Sequence, residues 1–493
     1  MKRRWIWAIV CSLITTYCMS QKIENAADFG IIGNGCTLNT EKIQTAIDRL
    51  SQQGGGRLSF PPGIYLTGSI VLKDGVELHL ERGATLLGSD NPYHYFKLEQ
   101  KETTLRNDNS QLALLLADHA KQIALTGEGT VDGNGRALAL NIDSLHHTGE
   151  RADPHYNYKR MRPNETMRPK LFYFTSCSRI EVKGVTLMNS AAWGLSFDRC
   201  THLTLEGVRV VNRAYWNNDG IDLTDCKQVK VSRCNIDSAD DGICLKSYHA
   251  DSYNDSITIS DCTICSSASG IKFGTASQGG FKHIDIRRIR VRDTFRSAIA
   301  IESVDGGVIE DIHVSDIIAT RTGNALFIRL GHRSGERPGS IRRVHISRLW
   351  CEVPFDRPDI NSDMRGPEVN FFHNPFPSSI TGIPGAAVED VCLEDIEIVC
   401  PGRSSKGMAY IPLSRLHQVP EQEKEYPEYT MFGELPSWGF YVRHVRGLQL
   451  KRVRLFTREE EFRPAIVLDD AHDVTLENVE SNFQKPWIVT HEE

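Results

Sequence analysis

The sequence has no excess of positive charge. Its 57 Lys and Arg stand against 63 Asp and Glu, a formal net charge of −6. A nucleic-acid binder shows a basic stripe or tail, and neither is present, so no nucleic-acid partner is expected. Beyond its first residues the chain also has no apolar run long enough to cross a bilayer. The first run is short: Lys2-Arg3-Arg4 precede the apolar stretch Trp5 to Cys18, and Ser20-Gln21 offers a cleavage point. Residues 1–20 therefore read as a signal peptide, and the mature chain as exported to periplasm or medium. An even set of cysteines is missing too: of 13 Cys, two (Cys11 and Cys18) fall in the leader, which leaves 11. Export permits disulfides, but the odd count and the register described below favour stacked small apolar side chains, with one bridge between neighbouring coils left open.

Also lacking, from Leu171 to Arg329, is any helical periodicity. What stands there is a phrase that recurs: Gly194-Leu-Ser-Phe, Gly220-Ile-Asp-Leu, Gly242-Ile-Cys-Leu, Gly270-Ile-Lys-Phe, Ala298-Ile-Ala-Ile and Ala325-Leu-Phe-Ile, at steps of 26, 22, 28, 28 and 27 residues. A phrase repeating at such a period marks a stacked architecture. Each is followed by further short apolar alternations such as Val229-Lys-Val and Cys234-Asn-Ile, which predicts several strands per coil and hence an all-β parallel β-helix. Neighbours along a strand face opposite ways. Leu195, Ile221, Ile243, Ile271, Ile299 and Leu326 then form one inward column, and Phe197, Leu223, Leu245, Phe273, Ile301 and Ile328 a second. Ser196, Asp222, Cys244, Lys272, Ala300 and Phe327 face outward, with Asp198, Lys246, Glu302 and Arg329 one step further along. Cys177, Cys200 and Cys226 occupy matching strand ends, as do Cys234 and Cys262.

Ahead of the repeat, Ile43, Ala46, Ile47 and Leu50 share one face of a helix that starts near Thr40 and stops at Gly54-Gly55-Gly56. It predicts a cap over the open end of the solenoid, within a region spanning about residues 27–90. Three long inserts interrupt the pattern at about 140–170, 353–386 and 401–438. The first carries His146, His147, Arg151, His155, Arg160 and Arg162. Long loops in a repeat domain often wall a site, although any single residue in them reads equally well as solvated. The coils return at Gly439-Phe-Tyr-Val and Ala465-Ile-Val-Leu, so residues 21–493 read as one domain.

The stretch Asn217 to Ser247 holds two copies of one phrase, beginning at Asp219 and at Asp241, with Asp222 and Asp240 beside them. One Asp-Gly is ordinary turn punctuation. Its recurrence on adjacent coils, with extra acids, points to a site. Paired carboxyl groups cleave glycosidic bonds, one protonated and one ionised, about 6.5–9.5 Å apart when the second activates water. Acids crowded together push one pKa upward and keep a proton available.

Asn217-Asn218-Asp219 followed by Asp240-Asp241 resembles the N-x-D and D-D motifs of glycoside hydrolase family 28, the polygalacturonase family, and Asn189-Ser190 with Trp193 is similar to its N-S-P-x-W stretch. The resemblance implies a right-handed, pectin-lyase-like parallel β-helix that hydrolyses α-linked galacturonate or rhamnogalacturonan chains with inversion. It implies Asp240 as general acid, and Asp219 with Asp241 as the pair that holds and activates water. It implies no cofactor and no resident metal. Two departures stand out. Ser269 replaces the histidine of the family's G-H-G motif, and Ala300-Ile301-Glu302 replaces its basic R-I-K motif. The expected substrate partner is therefore a pectic poly- or oligosaccharide, non-uniform rather than plain polygalacturonan, attacked at chain ends because the inserts block the groove. Asn217, Asp222, Lys246, Lys272, Glu302 and Arg329 are expected around the substrate; the alternative for Lys246, Lys272 and Arg329 is that they pair with Asp222 and Glu302. Two rival readings share the architecture: a Ca²⁺-dependent polysaccharide lyase, with the acids as oxygen ligands, and a non-catalytic glycan-binding β-helix. Nothing in the sequence speaks to oligomeric state.

Overall fold

In the computed structural model, residues 22–99, 109–359, 372–409, 413–482 and 488–491 are described. The proposed leader lies outside these residues, as does the middle of the second insert.

The coils stack in the register the repeat predicts. Leu195 pairs with Ile221, Ile221 with Ile243, Ile243 with Ile271, Ile271 with Ile299 and Ile299 with Leu326, every pairing parallel. Two further stacks, through Leu203, Val229 and Ile257 and through Val210, Ile236 and Ile264, complete each coil. The fold is a right-handed parallel β-helix. Its inward columns are almost entirely excluded from water and form one continuous core from Ala26 to Leu468. The small residue that opens each phrase is a packing requirement. A Cβ at Gly242 would stand 2.4 Å from Ile264 Cγ2 and 2.6 Å from the Gly270 carbonyl oxygen.

One corner shows an order that periodicity alone does not announce. Arg233, Asp261, Arg288, Asp316, Arg348, Asp395 and Arg452 all adopt left-handed backbone with φ between 50° and 57°. They follow residues paired across successive coils, so they stack, and they alternate in sign. Asp261–Arg288, Asp316–Arg348 and Asp395–Arg452 each close to 2.6 Å. Single exposed pairs contribute little, but here the alternation keeps like charges from stacking one coil apart.

Helix α1 (Thr40–Gln52) buries Ile43, Ala46, Ile47 and Leu50 against the first coils, as its spacing requires. The strands that follow the helix enter the stack at once: Gly56–Phe60 pairs with Val76–Leu80, which pairs with Lys121–Gly127. Two differences from the expected pattern concern the inserts. The 140–170 insert overlaps a second helix, α2 (Gly135–His147), whose buried Leu138, Ala139 and Ile142 were legible at helical spacing. The 353–386 insert contains Ser378–Thr381, a short strand that continues the main stack between Phe327–Arg329 and Phe440–Arg443. Four residues flanked by loops are too few for periodicity to register. All 11 cysteines among the described residues are free, most of them buried along the columns.

Ile271 sits in the middle of the inward column with no exposed surface. Ile271→Ala is expected to cost about 2–5 kcal/mol, the range for emptying a packed site, read as a lowered midpoint in urea unfolding followed by circular dichroism.

Candidate active site

On two adjacent coils the turn that leads into the main stack, before Ile221–Thr224 and before Ile243–Ser247, carries acids that reach a common cavity. Asp219, Asp240 and Asp241 each place a carboxylate oxygen within 4.8 Å of the other two. They line a cavity of about 470 Å³ together with Arg160, Arg162, Glu165, Trp193, Asn217, Lys246, Tyr248, Lys272, Thr275, Arg296, Arg333 and Tyr426. The spacing is tighter than the expected 6.5–9.5 Å. The reason is local: Asp240 and Asp241 are consecutive, and Asp219 lies one coil away, where strands stand about 4.8 Å apart. Two oxygens at that separation can share one water, since each hydrogen bond spans about 2.8 Å.

Backbone groups hold the acids in place. The Asp241 N–H donates to Asp240 Oδ1 at 3.0 Å, and the Ser269 N–H donates to Asp241 Oδ1 at 3.0 Å. Ser269, which stands where the resemblance expects histidine, thus contributes through its main chain. Ser238 and Ser266 hydroxyls both donate to the Asp240 carbonyl oxygen. Asn217 lines the cavity in left-handed conformation, its Oδ1 accepting from the buried Arg168 guanidinium at 2.7 Å.

Each of two buried ammonium groups is shared between a cavity acid and an acid behind it. Lys246 Nζ lies 3.2 Å from Asp219 and 3.0 Å from Asp222. Lys272 Nζ lies 3.3 Å from Asp241 and 3.8 Å from Glu302, and donates to the Tyr426 hydroxyl at 3.2 Å. The titration behaviour follows. Burial, reinforced by Asp222, pushes Asp219 well above the usual carboxylate range against the pull of Lys246. Burial and then the Asp241 charge raise Asp240. Burial acts on Asp241 too, but Lys272, Lys246 and Arg296 outweigh it and hold its carboxyl below the usual value. The floor therefore keeps one ionised acid, Asp241, between two that retain protons more readily.

Of the expected substrate contacts, Asn217, Lys246 and Lys272 reach the cavity. Asp222, Glu302 and Arg329 do not line it. Asp222 is fully buried beneath Lys246, and Glu302 stands behind Lys272 with Thr275 donating to it. Arg329 instead ties the third insert to the end of the second, donating to the carbonyls of Glu421 and Gln422 in the one and Gly382 in the other. The sequence reading missed Arg296, Arg333 and Tyr426. Arg296 was accessible from the repeat, because it occupies the position of Asp240 two coils later; it lies 2.8 Å from Glu428 of the third insert. Arg333 and Tyr426 come from loops and carried no such signal. The three cavity acids have donor atoms close enough for a metal, but ammonium groups already lie 3.2 and 3.3 Å from two of them. That charge balance suits proton transfer better than a divalent cation.

A parallel β-helix with recessed acids on its outer wall, set among cationic loops, belongs to the carbohydrate-active solenoids. The chain is a member of glycosyl hydrolases family 28, whose sequence model matches residues 73–344. It is 26% identical over 336 residues to a probable polygalacturonase of Vitis vinifera, covering 66% of this chain and 60% of that protein. It is 27% identical over 261 residues to an exo-poly-alpha-D-galacturonosidase of Dickeya chrysanthemi, covering 47% of this chain and 43% of that protein. The chain thus spans less than two thirds of the length of these curated relatives. A hyperthermoactive exopolygalacturonase from Thermotoga maritima shares the fold, with a TM-score of 0.60 at 23% identity over 77% of this chain and 87% of that one.

Glu302 is raised to about 7 by burial, against the opposing charge of Lys272. Above that pH Glu302 is ionised, and Glu302→Gln removes a negative charge facing Lys272, leaving that ammonium to act on Asp241 and Asp240. Both acids then lose their protons at lower pH, so the alkaline limb of the pH–activity profile is expected to move to lower pH. A profile that keeps its position while falling in height would show Glu302 to be structural only.

Proposed function

We propose that this chain hydrolyses α-linked pectic chains of galacturonate or rhamnogalacturonan type, releasing product from chain ends by single displacement with inversion. The observation that carries the reading is the triad of recessed acids with divided proton affinity. Asp240 donates its proton to the departing glycosidic oxygen. Asp241, the ionised member, accepts a proton from the attacking water, and Asp219 holds that water from the other side. Cationic side chains around the acids suit a substrate that carries carboxylates: Arg160 and Arg162 stand on one wall, Arg296 and Arg333 on the other. They take the place of the basic pair missing at Ala300 and Glu302. Chain-end action is supported by the third insert, whose Tyr426 and Glu428 close one side of the cavity over Lys272 and Arg296. Export rests on the leader; no helix among the described residues is long and apolar enough to cross a membrane.

Asp240→Asn keeps the shape of the floor and removes the proton donor. Release of reducing sugar from pectic fractions is expected to fall by about 10²–10⁴-fold, with an unchanged circular dichroism spectrum. Turnover retained in that variant would refute the assignment. Proton NMR of the first product formed by the unmodified chain should show the β anomer from an α linkage; the α anomer would instead indicate a covalent sugar intermediate. An unsaturated, ultraviolet-absorbing product abolished by EDTA would favour the lyase.

A further inference from the structure

The cavity is bordered on one side by a short loop whose features the chemistry at the floor does not use. Asn157 and Arg162 exchange main-chain hydrogen bonds of 3.0 and 3.2 Å, closing residues 157–162 into a tight hairpin. The Arg160 N–H also donates to Asn157 Oδ1 at 3.0 Å. The foot of this hairpin is fixed to α2. The Tyr156 ring stacks on His146 at 4.2 Å with an interplanar angle of 8°, and its hydroxyl donates to Asp143 at 2.6 Å. The loop is therefore a stiff projection.

Its side chains divide between two faces. Arg160 and Arg162 turn inward, line the cavity, and lie over the Trp216 ring at 5.4 and 4.1 Å. Tyr158 and Met161 stand outward, 67% and 60% exposed. The Tyr158 hydroxyl reaches His146 at 3.2 Å, which sets the ring in a defined orientation rather than leaving it to sweep. A rigid exposed aromatic ring beside stacked guanidinium groups is the composition that grips an acidic sugar chain: the ring meets the apolar face of a sugar, and the guanidinium groups meet its carboxylates. Because it is held in advance, it loses little entropy on binding.

We infer that the 157–162 hairpin with Trp216 is a second contact surface for the acidic polysaccharide, carrying the part of the chain that extends out of the cavity. The inference rests on the reading of the cavity as a site for uronate-bearing glycans. Continuity supports it, since Arg160 and Arg162 belong to both surfaces. The opposite side of the cavity is closed by Tyr426 against Lys272 and by Arg333 in its two-point pairing with Asp305 at 3.0 and 2.6 Å. A chain whose end sits over the acids leaves by the hairpin side.

The test measures binding rather than turnover. In an Asp240→Asn background, dissociation constants are determined by calorimetry for digalacturonate, for a long polygalacturonate fragment and for a neutral glucan of similar length. The long acidic fragment is expected to bind more tightly than the disaccharide, and the neutral glucan not at all. Adding Tyr158→Ala should weaken the long fragment roughly three- to tenfold and leave the disaccharide unchanged. Equal weakening at both lengths, or none at either, would overturn the inference. A chain that shows this length dependence yet releases no sugar without the Asp240 substitution would sink the hydrolytic reading and leave the contact surface standing.

Discussion

The close stacking of successive coils governs this molecule. Strands set about 4.8 Å apart bring side chains from distant parts of the sequence into direct contact, column by column. For apolar columns this is favourable everywhere, and the core is continuous. For charged columns it is a severe constraint, because like charges one coil apart repel at short range in a poorly solvated setting. The structure meets the constraint in two ways. At an exposed corner the stacked residues alternate in sign from Arg233 to Arg452. Beneath the cavity, where acids are concentrated, Lys246 and Lys272 are each shared between two carboxylates.

That second solution produces the chemistry. Ammonium groups that fully neutralised every acid would leave no proton on the floor, and acids without any ammonium would hold too many. Sharing each lysine between one acid of the cavity and one behind it leaves Asp241 ionised and keeps Asp219 and Asp240 inclined to retain protons. Asp222 and Glu302, which do not line the cavity, are thereby part of how the floor is tuned. The departures from the family pattern have the same logic. Glu302 stands where a basic residue is expected, and it faces Lys272 of the preceding coil instead of a substrate. The main chain of Ser269 fixes Asp241 without any ring nitrogen.

The walls are a separate matter from the floor. The floor belongs to the coils and inherits their regularity. The walls come largely from inserts, and their anchors are long-range: Arg168 ties Ala191, Trp216 and Asn217 together through three hydrogen bonds, and Arg329 holds the third insert by main-chain carbonyls. A buried arginine makes a good anchor of this kind, because its rigid fork satisfies several acceptors at once. Arg329 illustrates why its role was misread. Its column position on the outer face was correct, but an outward side chain next to an insert meets the insert before it meets solvent.

By itself the sequence determined the stack. A phrase repeating every 22–28 residues specified the strand register, the two inward columns and the meeting of Asp219, Asp240 and Asp241, and helical spacing ahead of it specified the capping helix. It could do so because in a solenoid contact follows from period, and period is visible in one dimension. Only the tertiary structure decided which cations line the cavity and which pair with the acids behind it, where the inserts fold back, and that Ser378–Thr381 is a regular element. Those outcomes depend on loops that obey no period and on partners as far apart as Lys272 and Tyr426, whose proximity is a property of the folded chain alone.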